Sequence, residues 1–424
     1  MRRIYILGII IVFFIIGGVF AWQQGLRGMR CSASDGMKVL EEAAQHNLRQ
    51  VVVGDSTTGR TIMWQSDKRL PEMILEYRKT NGGELQTKSA EPKEFAEDGK
   101  TDYVYNVLLD NLESGQAYVY RIGYADRRSE WTTLSTPMKN QGFKALVFPD
   151  SQSSDYHDWQ KLAEAAFTAN PDTAFFINMG DLVDNGEDRY QWQEWFKGVT
   201  RVRSIPIAPV MGNHETYDKK WEVRMPVAYL RLFALPPNGS SALEGQHYAF
   251  SYGKAEFFVL NTQLSELSKW QPTMLSEQIA WLQQVLEHST ARWKVVLLHK
   301  DLFTYAFKQK DSRAAGINEM GRTLMPIFDK YGVDVVLSAH LHTYRNRGLV
   351  YNFERAEHGT LYVLTGVAGN VRYPDLWAVH PLDEKGAPEP ELGNYLTLTV
   401  DGDSLLLETF ITDGTKIDSV HLVK

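Results

Sequence analysis

The sequence has little cysteine, no excess of positive charge and a single long hydrophobic run. Its one cysteine, Cys31, excludes an intrachain disulfide and a thiolate zinc cluster. Asp and Glu number 52 against 45 Lys and Arg, and the net charge of −7 argues against a nucleic-acid backbone as the main partner. Any metal would therefore have to be bound by His, Asp, Glu or Asn side chains.

The long hydrophobic run lies near the amino terminus, over residues 4–26, and carries no charge. A bilayer-spanning helix needs about 20 apolar residues, whereas Val-Phe-Ala at 19–21 resembles a signal peptide cleavage site. We predict a membrane anchor or signal peptide over residues 1–30 and a helix-like stalk over 31–46. Both alternatives place the body of the chain outside the cytoplasm, tethered to the membrane in one case and secreted in the other.

Short alternating apolar runs occupy residues 47–138. Gly, Asp, Asn and Ser separate them, a pattern typical of a small antiparallel β-sandwich. The segment Leu-Glu-Ser-Gly-Gln-Ala-Tyr at 112–118 resembles the turn and tyrosine corner of a fibronectin type III domain, with Trp64 as the expected core indole. We expect its aromatic side chains to fill a core, and we predict no functional site there.

From residue 141 to residue 424 the pattern changes to strands that alternate with helices. Continuous apolar strands of this kind are typical of an α/β core with covered sheet faces. The predicted strands include 143–148, 173–178, 205–210, 256–260, 294–298 and 333–337, and the predicted helices are 158–169, 276–287 and 318–331. Asp-Gly pairs at 401–402 and 413–414 predict hairpins in a closing antiparallel array.

Metal-binding side chains follow five of these strands. Ligands collect beyond the carboxyl ends of strands in layered α/β folds, so we expect the five segments to meet at one rim. Their oxygen and nitrogen donors suit Mn, Fe or Zn. The candidate ligands are Asp150, Asp181, Asn213, His299, His340 and His342.

Two metal ions follow from this ligand set, because His340 and His342 are one residue apart and each can serve a different ion. Two metals about 3.5–4 Å apart share a bridging carboxylate, convert a bound water to hydroxide and neutralise a phosphoryl group in transfer. The pattern therefore predicts hydrolysis of a phosphoester by metal-bound hydroxide.

The ordered motifs Asp, Gly-Asp, Gly-Asn-His-Glu, Val-x-x-His and His-x-His resemble the calcineurin-like metallophosphoesterase superfamily. With the sandwich ahead of them, the chain from residue 47 resembles purple acid phosphatases. The resemblance implies a fibronectin III-like β-sandwich followed by a four-layer α/β catalytic domain at 141–424, with two mixed sheets flanked by helices. It also implies a metal-dependent phosphatase that acts on a small phosphorylated substrate.

The resemblance assigns each candidate residue a role. Asp150 and His342 would bind the first metal and Asp181 would bridge both metals. The second metal would be held by Asn213, His299 and His340. His214 would face the phosphate, so that His214 and Asp181 are the predicted catalytic residues.

Two positions depart from the family pattern. Asp184 stands where purple acid phosphatases have a tyrosine ligand to ferric iron, and Gln152 stands where other branches have a histidine. We predict Gln152 as a weak metal ligand and two divalent ions, Mn, Fe or Zn, rather than a ferric-divalent pair. The residues predicted to support the ligands or contact substrate are Asp184, Glu215, Tyr217, Tyr344 and Arg345.

Three functions remain open at this point. Phosphomonoester hydrolysis, as in acid phosphatases, is the prediction, and a phosphodiesterase on the same metal core is the nearest alternative because surface loops set selectivity. A non-catalytic surface binding protein on a decayed phosphatase fold is the third. No nucleic-acid partner is expected, since no basic stripe with interleaved aromatics is present.

Overall fold

The computed structural model describes residues 38–40, 45–310 and 313–424. The membrane anchor or signal peptide predicted over 1–30 lies outside the described residues, as does most of the predicted stalk. In the described part of the chain, no helix is both long and apolar enough to cross a membrane. Where the stalk is described it is not helical, because Lys38–Val39 is a strand and Leu40 is buried in the sandwich core.

The first part of the described chain is made of strands alone. They are β1 (Lys38–Val39), β2 (His46–Val51), β3 (Arg60–Ser66), β4 (Met73–Lys79), β5 (Gln86–Ala90), β6 (Lys93–Glu97), β7 (Lys100–Leu109), β8 (Ala117–Tyr124), β9 (Arg127–Arg128) and β10 (Thr132–Ser135). One sheet has the order β1-β9-β8-β4-β5, with β10 beside β8, and strands β2-β3-β7-β6 form the other layer.

The core of this sandwich confirms the two aromatic predictions. Trp64 is fully buried and stacks on Tyr105 with ring centroids 5.4 Å apart. The Tyr118 hydroxyl accepts a 2.9 Å hydrogen bond from the Glu113 amide, as a tyrosine corner requires.

Strands and helices alternate through the second part. The strands are β11 (Phe143–Phe148), β12 (Phe175–Asn178), β13 (Ile207–Pro209), β14 (Tyr248–Tyr252), β15 (Ala255–Leu260), β16 (Trp293–Lys300), β17 (Phe303–Thr304), β18 (Gly316–Ile317), β19 (Val335–Ala339), β20 (Tyr344–Tyr351), β21 (Glu354–Arg355), β22 (Thr360–Thr365), β23 (Lys385–Gly386), β24 (Asn394–Asp401), β25 (Ser404–Ile411) and β26 (Lys416–Val423). The helices are α1 (His157–Ala169), α2 (Arg189–Gly198), α3 (Val227–Leu232), α4 (Leu264–Leu267), α5 (Met274–His288) and α6 (Glu319–Tyr331).

Two mixed sheets pack face to face and are flanked by helices. In the first, β11, β12 and β13 are parallel and β24 runs antiparallel to β11. In the second, β15, β16, β19 and β22 are parallel and β14 and β20 are antiparallel at the ends of that group. Apolar side chains fill the space between the sheets; Phe175 of the first contacts Phe250 and Phe257 of the second. The predicted fold class, a β-sandwich followed by an α/β domain with mixed sheets, is confirmed.

The sandwich and the α/β domain share a sheet. Strand β2 pairs in parallel with β13 at Val51 and Ile207, and the Val52 amide donates to the Ile207 carbonyl at 3.1 Å. This pairing joins both parts in a ten-stranded sheet of order β26-β25-β24-β11-β12-β13-β2-β3-β7-β6. The β6–β7 turn of the sandwich is thereby held in a defined position relative to the loop after β13.

The ends of five strands position the site. The first sheet delivers Asp150 after β11, Asp181 after β12 and Asn213 after β13, whereas the second delivers His299 on β16 and His340 after β19. Because both sheets present these ends at the same rim, residues far apart in sequence converge there.

Candidate metal centre

Two groups of candidate metal ligands share one carboxylate. Asp150, Asp181 and His342 form the first half-site, and Asp181, His299 and His340 form the core of the second half-site. Within each group, one ligand atom from each residue lies within 4.8 Å of the others. The arrangement is that of two adjacent cation sites bridged by Asp181.

Asn213 completes the second half-site. Its Oδ1 lies 3.2 Å from His299 Nε2, and its side chain is 6% exposed. The second half-site therefore offers two imidazoles, an amide oxygen and the shared carboxylate. The structure brings together all six ligands that the sequence singled out after the strand ends.

Backbone carbonyls orient two of the imidazoles. His299 Nδ1 donates to the Met179 carbonyl at 2.9 Å, and His342 Nδ1 donates to the Val371 carbonyl at 2.5 Å. Each hydrogen bond fixes the tautomer and leaves Nε2 to face the carboxylates of its half-site. Such an outer partner is what a metal-binding histidine requires.

The residues present fit a dinuclear divalent centre. Two buried polar atoms, Gln152 Oε1 and His340 Nδ1, have no hydrogen-bond partner, and Asp181 Oδ2 lies 3.0 Å from His299 Nε2. Buried polar atoms are rarely left unpaired because the free-energy cost is large, and a cation held by these donors would satisfy them. Carboxylate oxygen, amide oxygen and imidazole nitrogen are donors that suit Mn, Fe and Zn.

Three of the ligands occupy the left-handed backbone region. The φ angles are 48° at Asp181, 77° at His340 and 52° at His342. Each such conformation costs a non-glycine residue roughly 1–3 kcal/mol, and such strain clusters at functional sites. Here it turns consecutive strand-end side chains toward one point.

Glu215 is a clamp between two ligand loops. Its carboxylate accepts hydrogen bonds from the amides of Asp181 at 3.0 Å, Leu182 at 2.8 Å and Gly212 at 2.7 Å. Burial and the nearby charge of Asp181 raise the pKa of Glu215 to about 7. A Cβ at Gly212 would lie 2.1 Å from Asp181 Oδ1, so only glycine allows this close approach. Glu215 therefore positions the ligands and does not contact substrate.

His214 lies beside the shared carboxylate. Its amide donates to Asp181 Oδ1 at 2.9 Å, its Nδ1 donates to the Asp184 carbonyl at 2.8 Å, and its Nε2 lies 3.4 Å from Gln152 Nε2. Burial lowers the pKa of His214, but the charges of Asp181 and Asp184 outweigh it and raise the value to about 10. His214 is thus placed and charged to donate a proton.

Asp184 supports His214 and does not join either ligand group. Its Oδ1 lies 3.4 Å from His214 Nδ1. The cap of helix α2 is Asp188, whose side chain accepts from the Tyr190 amide at 2.9 Å. The predicted supporting role of Asp184 matches this geometry.

Burial acts differently on the other ionisable ligands. It lowers the pKa of His340 to about 3, with a further decrease from the charge of His299, so this imidazole is neutral and ready to bind a cation. Burial raises the pKa of Asp150. For His299, burial lowers the pKa, but Asp181 outweighs it and raises the value to about 9.

Two of the residues predicted to support the ligands or contact substrate, Tyr344 and Arg345, are buried. Tyr344 is 1% exposed and its hydroxyl donates to Asp418 Oδ2 at 2.7 Å. Arg345 is 5% exposed, and its guanidinium lies 3.6 Å from Asp383 and 3.9 Å from Glu391. Both residues lie on β20, which pairs with β22 and, from Arg345, also with β23. Both side chains are covered by the protein and are not exposed to a substrate.

Tyr217 lies at the site as predicted, and the sequence analysis missed two further aromatic residues there. The Tyr217 ring centroid is 5.5 Å from that of His214. The rings of Trp221 and Tyr373 lie 5.6 Å from His214 and 4.9 Å from His342, respectively. The apolar run at 360–365, which is followed by Gly366, was a signal for the strand that precedes Tyr373.

Two families match the chain. Residues 143–344 match calcineurin-like phosphoesterases, and residues 46–136 match the N-terminal domain of purple acid phosphatases. The two matches together cover both the sandwich and the strand ends from β11 to β19.

Individual relatives agree with these matches. Purple acid phosphatase 15 of Arabidopsis thaliana is 26% identical over 344 residues, which are 70% of this chain and 61% of that protein. Acid phosphatase type 7 of Mus musculus is 22% identical over 358 residues, 76% of this chain and 77% of that protein.

Among solved structures, a purple acid phosphatase from yellow lupin (Lupinus luteus) seeds shares the fold, with a TM-score of 0.76 at 18% identity over 91% of this chain and 75% of that one. On these grounds residues 143–344 form a calcineurin-like phosphoesterase domain that follows a purple acid phosphatase N-terminal domain, and the relatives of the chain are metal-dependent hydrolases.

Proposed function

We propose that this protein is an exported dinuclear-metal phosphatase that hydrolyses a small phosphomonoester. The observation that carries the proposal is the pair of half-sites that share Asp181, with buried unpartnered donor atoms at their centre. The proposed export rests on the hydrophobic run at residues 4–26. The predicted anchor or signal peptide supports a catalytic domain that lies outside the cytoplasm, either anchored to the membrane or secreted.

The half-sites assign the metal ligands. Asp150, Asp181 and His342 would hold one ion, with Gln152 Oε1 as an additional weak ligand, and Asp181, Asn213, His299 and His340 would hold the other. Bound divalent ions supply a water nucleophile at neutral pH and neutralise charge on the transferring phosphoryl group.

His214 would protonate the leaving oxygen of the ester. Its Nδ1 proton is held by the Asp184 carbonyl, so Nε2 is the nitrogen that faces the centre. The carboxylates of Asp181 and Asp184 favour the protonated imidazole at neutral pH. A proton donor at this atom stabilises the alkoxide that forms as the phosphorus–oxygen bond breaks.

We further propose that both ions are divalent. Asp184 carries a carboxylate where a tyrosine ligand stabilises ferric iron in purple acid phosphatases, and this carboxylate faces His214. The purified protein should therefore show no visible phenolate-to-iron absorption after loading with iron. A visible band lost in Tyr373→Phe would instead identify Tyr373 as a replacement ligand and contradict the proposal.

The test is metal content and ester hydrolysis by the full-length protein in detergent. We expect about two metals per chain and metal-dependent hydrolysis of an aryl phosphomonoester in preference to an aryl phosphodiester. Asp181→Asn should lose metal and activity, whereas His214→Ala should keep metal and lose activity. His288→Ala changes an exposed histidine at the end of α5 and serves as the control.

Each other outcome has a definite meaning. Preference for the diester would make the protein a phosphodiesterase on the same centre. Two bound metals without turnover of either ester would contradict the proposed substrate class. No bound metal in the wild-type protein would favour a binding protein on a decayed phosphatase fold.

A further inference from the structure

We propose that Tyr217 and Trp221 form an aromatic wall that binds a planar aromatic ring on the leaving group, so that the preferred substrates are phosphomonoesters of nucleosides or aryl alcohols. This inference rests on the proposed function, because it concerns the leaving group of the same reaction. It names a substrate class that the metal ligands alone do not specify.

The wall lies directly beside the candidate proton donor. The rings of Tyr217 and Trp221 both stand perpendicular to the His214 imidazole, with interplanar angles of 89° and centroid distances of 5.5 and 5.6 Å. The two wall rings are 5.9 Å apart. A leaving group that takes its proton from His214 would therefore lie close to these rings.

Trp221 is one of the exposed large apolar side chains in the described part of the chain. Its indole is 54% exposed, although it lies at a polar rim dominated by carboxylates and imidazoles. Exposed aromatic faces at a catalytic rim are typical of ligand contacts, since tryptophan and tyrosine bind through area at low entropic cost. An aromatic ring is the ligand group that stacks on such a face.

The backbone holds the wall in place. Trp221 has a φ of 67°, a conformation that bulky residues rarely adopt. Asp218 maintains it, since its side chain accepts from the amides of Lys220 at 2.7 Å and Glu222 at 2.8 Å, and its carbonyl accepts from the Trp221 amide at 3.0 Å. The indole is thus presented on an ordered loop.

Two ion pairs join the same loop to the sandwich. Lys219 Nζ lies 2.9 Å from Asp98, and Arg224 Nη1 donates to Glu97 at 2.7 Å. Glu97 ends β6 and Asp98 begins the β6–β7 turn, which the shared sheet holds in position. The sandwich therefore contributes to leaving-group recognition through the position of Trp221.

The test compares substrates that release the same kind of alcohol. Adenosine 5′-monophosphate and ribose 5-phosphate differ in the base and not in the primary alcohol. Benzyl phosphate and cyclohexylmethyl phosphate separate a small aryl ring from an alicyclic one. In the metal-loaded full chain, we expect the KM to be roughly tenfold lower for the aromatic member of at least one pair.

Variants link the preference to the wall. Trp221→Ala should reduce each aromatic preference to near one, and Trp221→Phe should restore part of it. Trp131→Ala is the matched control, because Trp131 is half-buried in the sandwich beside Arg121, and it should leave the preference unchanged. The nucleoside pair and the benzyl pair show which source of aromatic ring the wall favours.

Adenosine binding, measured by calorimetry, separates this inference from the proposed function. If no ester is hydrolysed but adenosine binds the wild-type chain and not Trp221→Ala, ring binding by the aromatic wall is supported. The phosphatase proposal then fails. If both members of each pair are hydrolysed with equal KM and adenosine does not bind, the phosphatase proposal stands and the wall is overturned. An aromatic preference that persists in Trp221→Ala would also overturn it.

Discussion

The two half-sites differ in the chemistry of their donors. The first offers the carboxylates of Asp150 and Asp181 with one imidazole, His342, whereas the second has one carboxylate and two imidazoles, His299 and His340. Carboxylate oxygens suit Mn and similar hard ions, and imidazole nitrogens suit Zn. One bridging carboxylate therefore joins a half-site that favours hard ions to one that favours softer ions. The two ions need not be the same element.

The half-sites also differ in how each is built. The first half-site joins a residue after β11 to one after β19, and the loop after β22 orients His342 through the Val371 carbonyl. His299 in the second half-site lies within β16 and is fully buried. The amide oxygen of Asn213 adds a fourth donor to the second half-site, whereas the first has only the weak ligand Gln152 in addition, so we expect the second to bind its ion more tightly.

The largest effect is expected from removal of an imidazole in the second half-site. His299→Ala should empty this half-site and lower kcat/KM by roughly a thousandfold, because several kcal/mol of transition-state stabilisation depend on its ion. After equilibration with equimolar Mn and Zn, elemental analysis should find that mainly Mn remains.

His342→Ala is the reciprocal variant and should retain mainly Zn. His288→Ala controls for loss of a histidine at the surface. Retention of Zn in His299→Ala together with Mn in His342→Ala would reverse the assignment of harder and softer sites.

A substitution beneath the shared carboxylate should affect both half-sites equally. The added methyl of Gly212→Ala would lie 2.1 Å from Asp181 Oδ1, so the bridge must move. A displacement of about 1 Å costs roughly a hundredfold in rate. Steady-state kinetics together with metal content checks this result.

Gly316→Ala is the matched control, because no atom lies within 4 Å of its added Cβ. We expect it to keep both metals and full activity. If Gly212→Ala lost metal from only one half-site, Asp181 would not be the common ligand.

The strand ends were predictable because each follows a local apolar run. Asp150, Asp181 and His299 stand directly after or within such runs, and parallel strands bring their carboxyl ends to one edge. The family resemblance then assigned them to two ions. The sandwich core was predictable for the same reason, since Trp64 and Tyr118 lie in alternating strands with clear turn signals.

Features that depend on pairing between distant strands were not predictable. The parallel contact between β2 and β13 unites the two domains, but no local pattern records it. Tyr344 and Arg345 follow the second histidine closely and looked available to substrate, yet both are buried, and the Tyr344 hydroxyl bonds to Asp418 of a strand distant in sequence. Trp221 was overlooked because its importance depends on a left-handed backbone and on the nearby His214 ring.

A substitution at Gln152 should raise the metal affinity of the first half-site toward that of the second. Its Oε1 is buried without a hydrogen-bond partner, so a stronger ligand at this position would bind the ion of the first half-site. Gln152→His should raise the affinity of the first half-site by about tenfold or more, the scale of single changes around metal sites. Competition with a chelator measures the change, and Gln160→His on helix α1 controls for an added imidazole. Unchanged chelator resistance would show that position 152 does not face an ion.

The smallest effect on the rate of hydrolysis is expected from a change beside the proton donor His214, which lies between the half-sites and the aromatic wall. Asp184 and Asp181 together raise the pKa of His214 to about 10, so the imidazole stays protonated through neutral pH. Asp184→Asn removes one of these charges and lowers that pKa, which should move the alkaline limb of the rate profile to lower pH. At neutral pH the loss should be less than about tenfold, because proton transfer as a whole contributes 10²–10⁴-fold.

Wild type and variant contain the same ions, so the difference between their profiles reports Asp184 alone. Asp172→Asn changes an exposed carboxylate paired with Lys144 and should leave the profile unmoved. An Asp184→Asn profile that coincides with the wild type would show that the alkaline limb belongs to another group than His214.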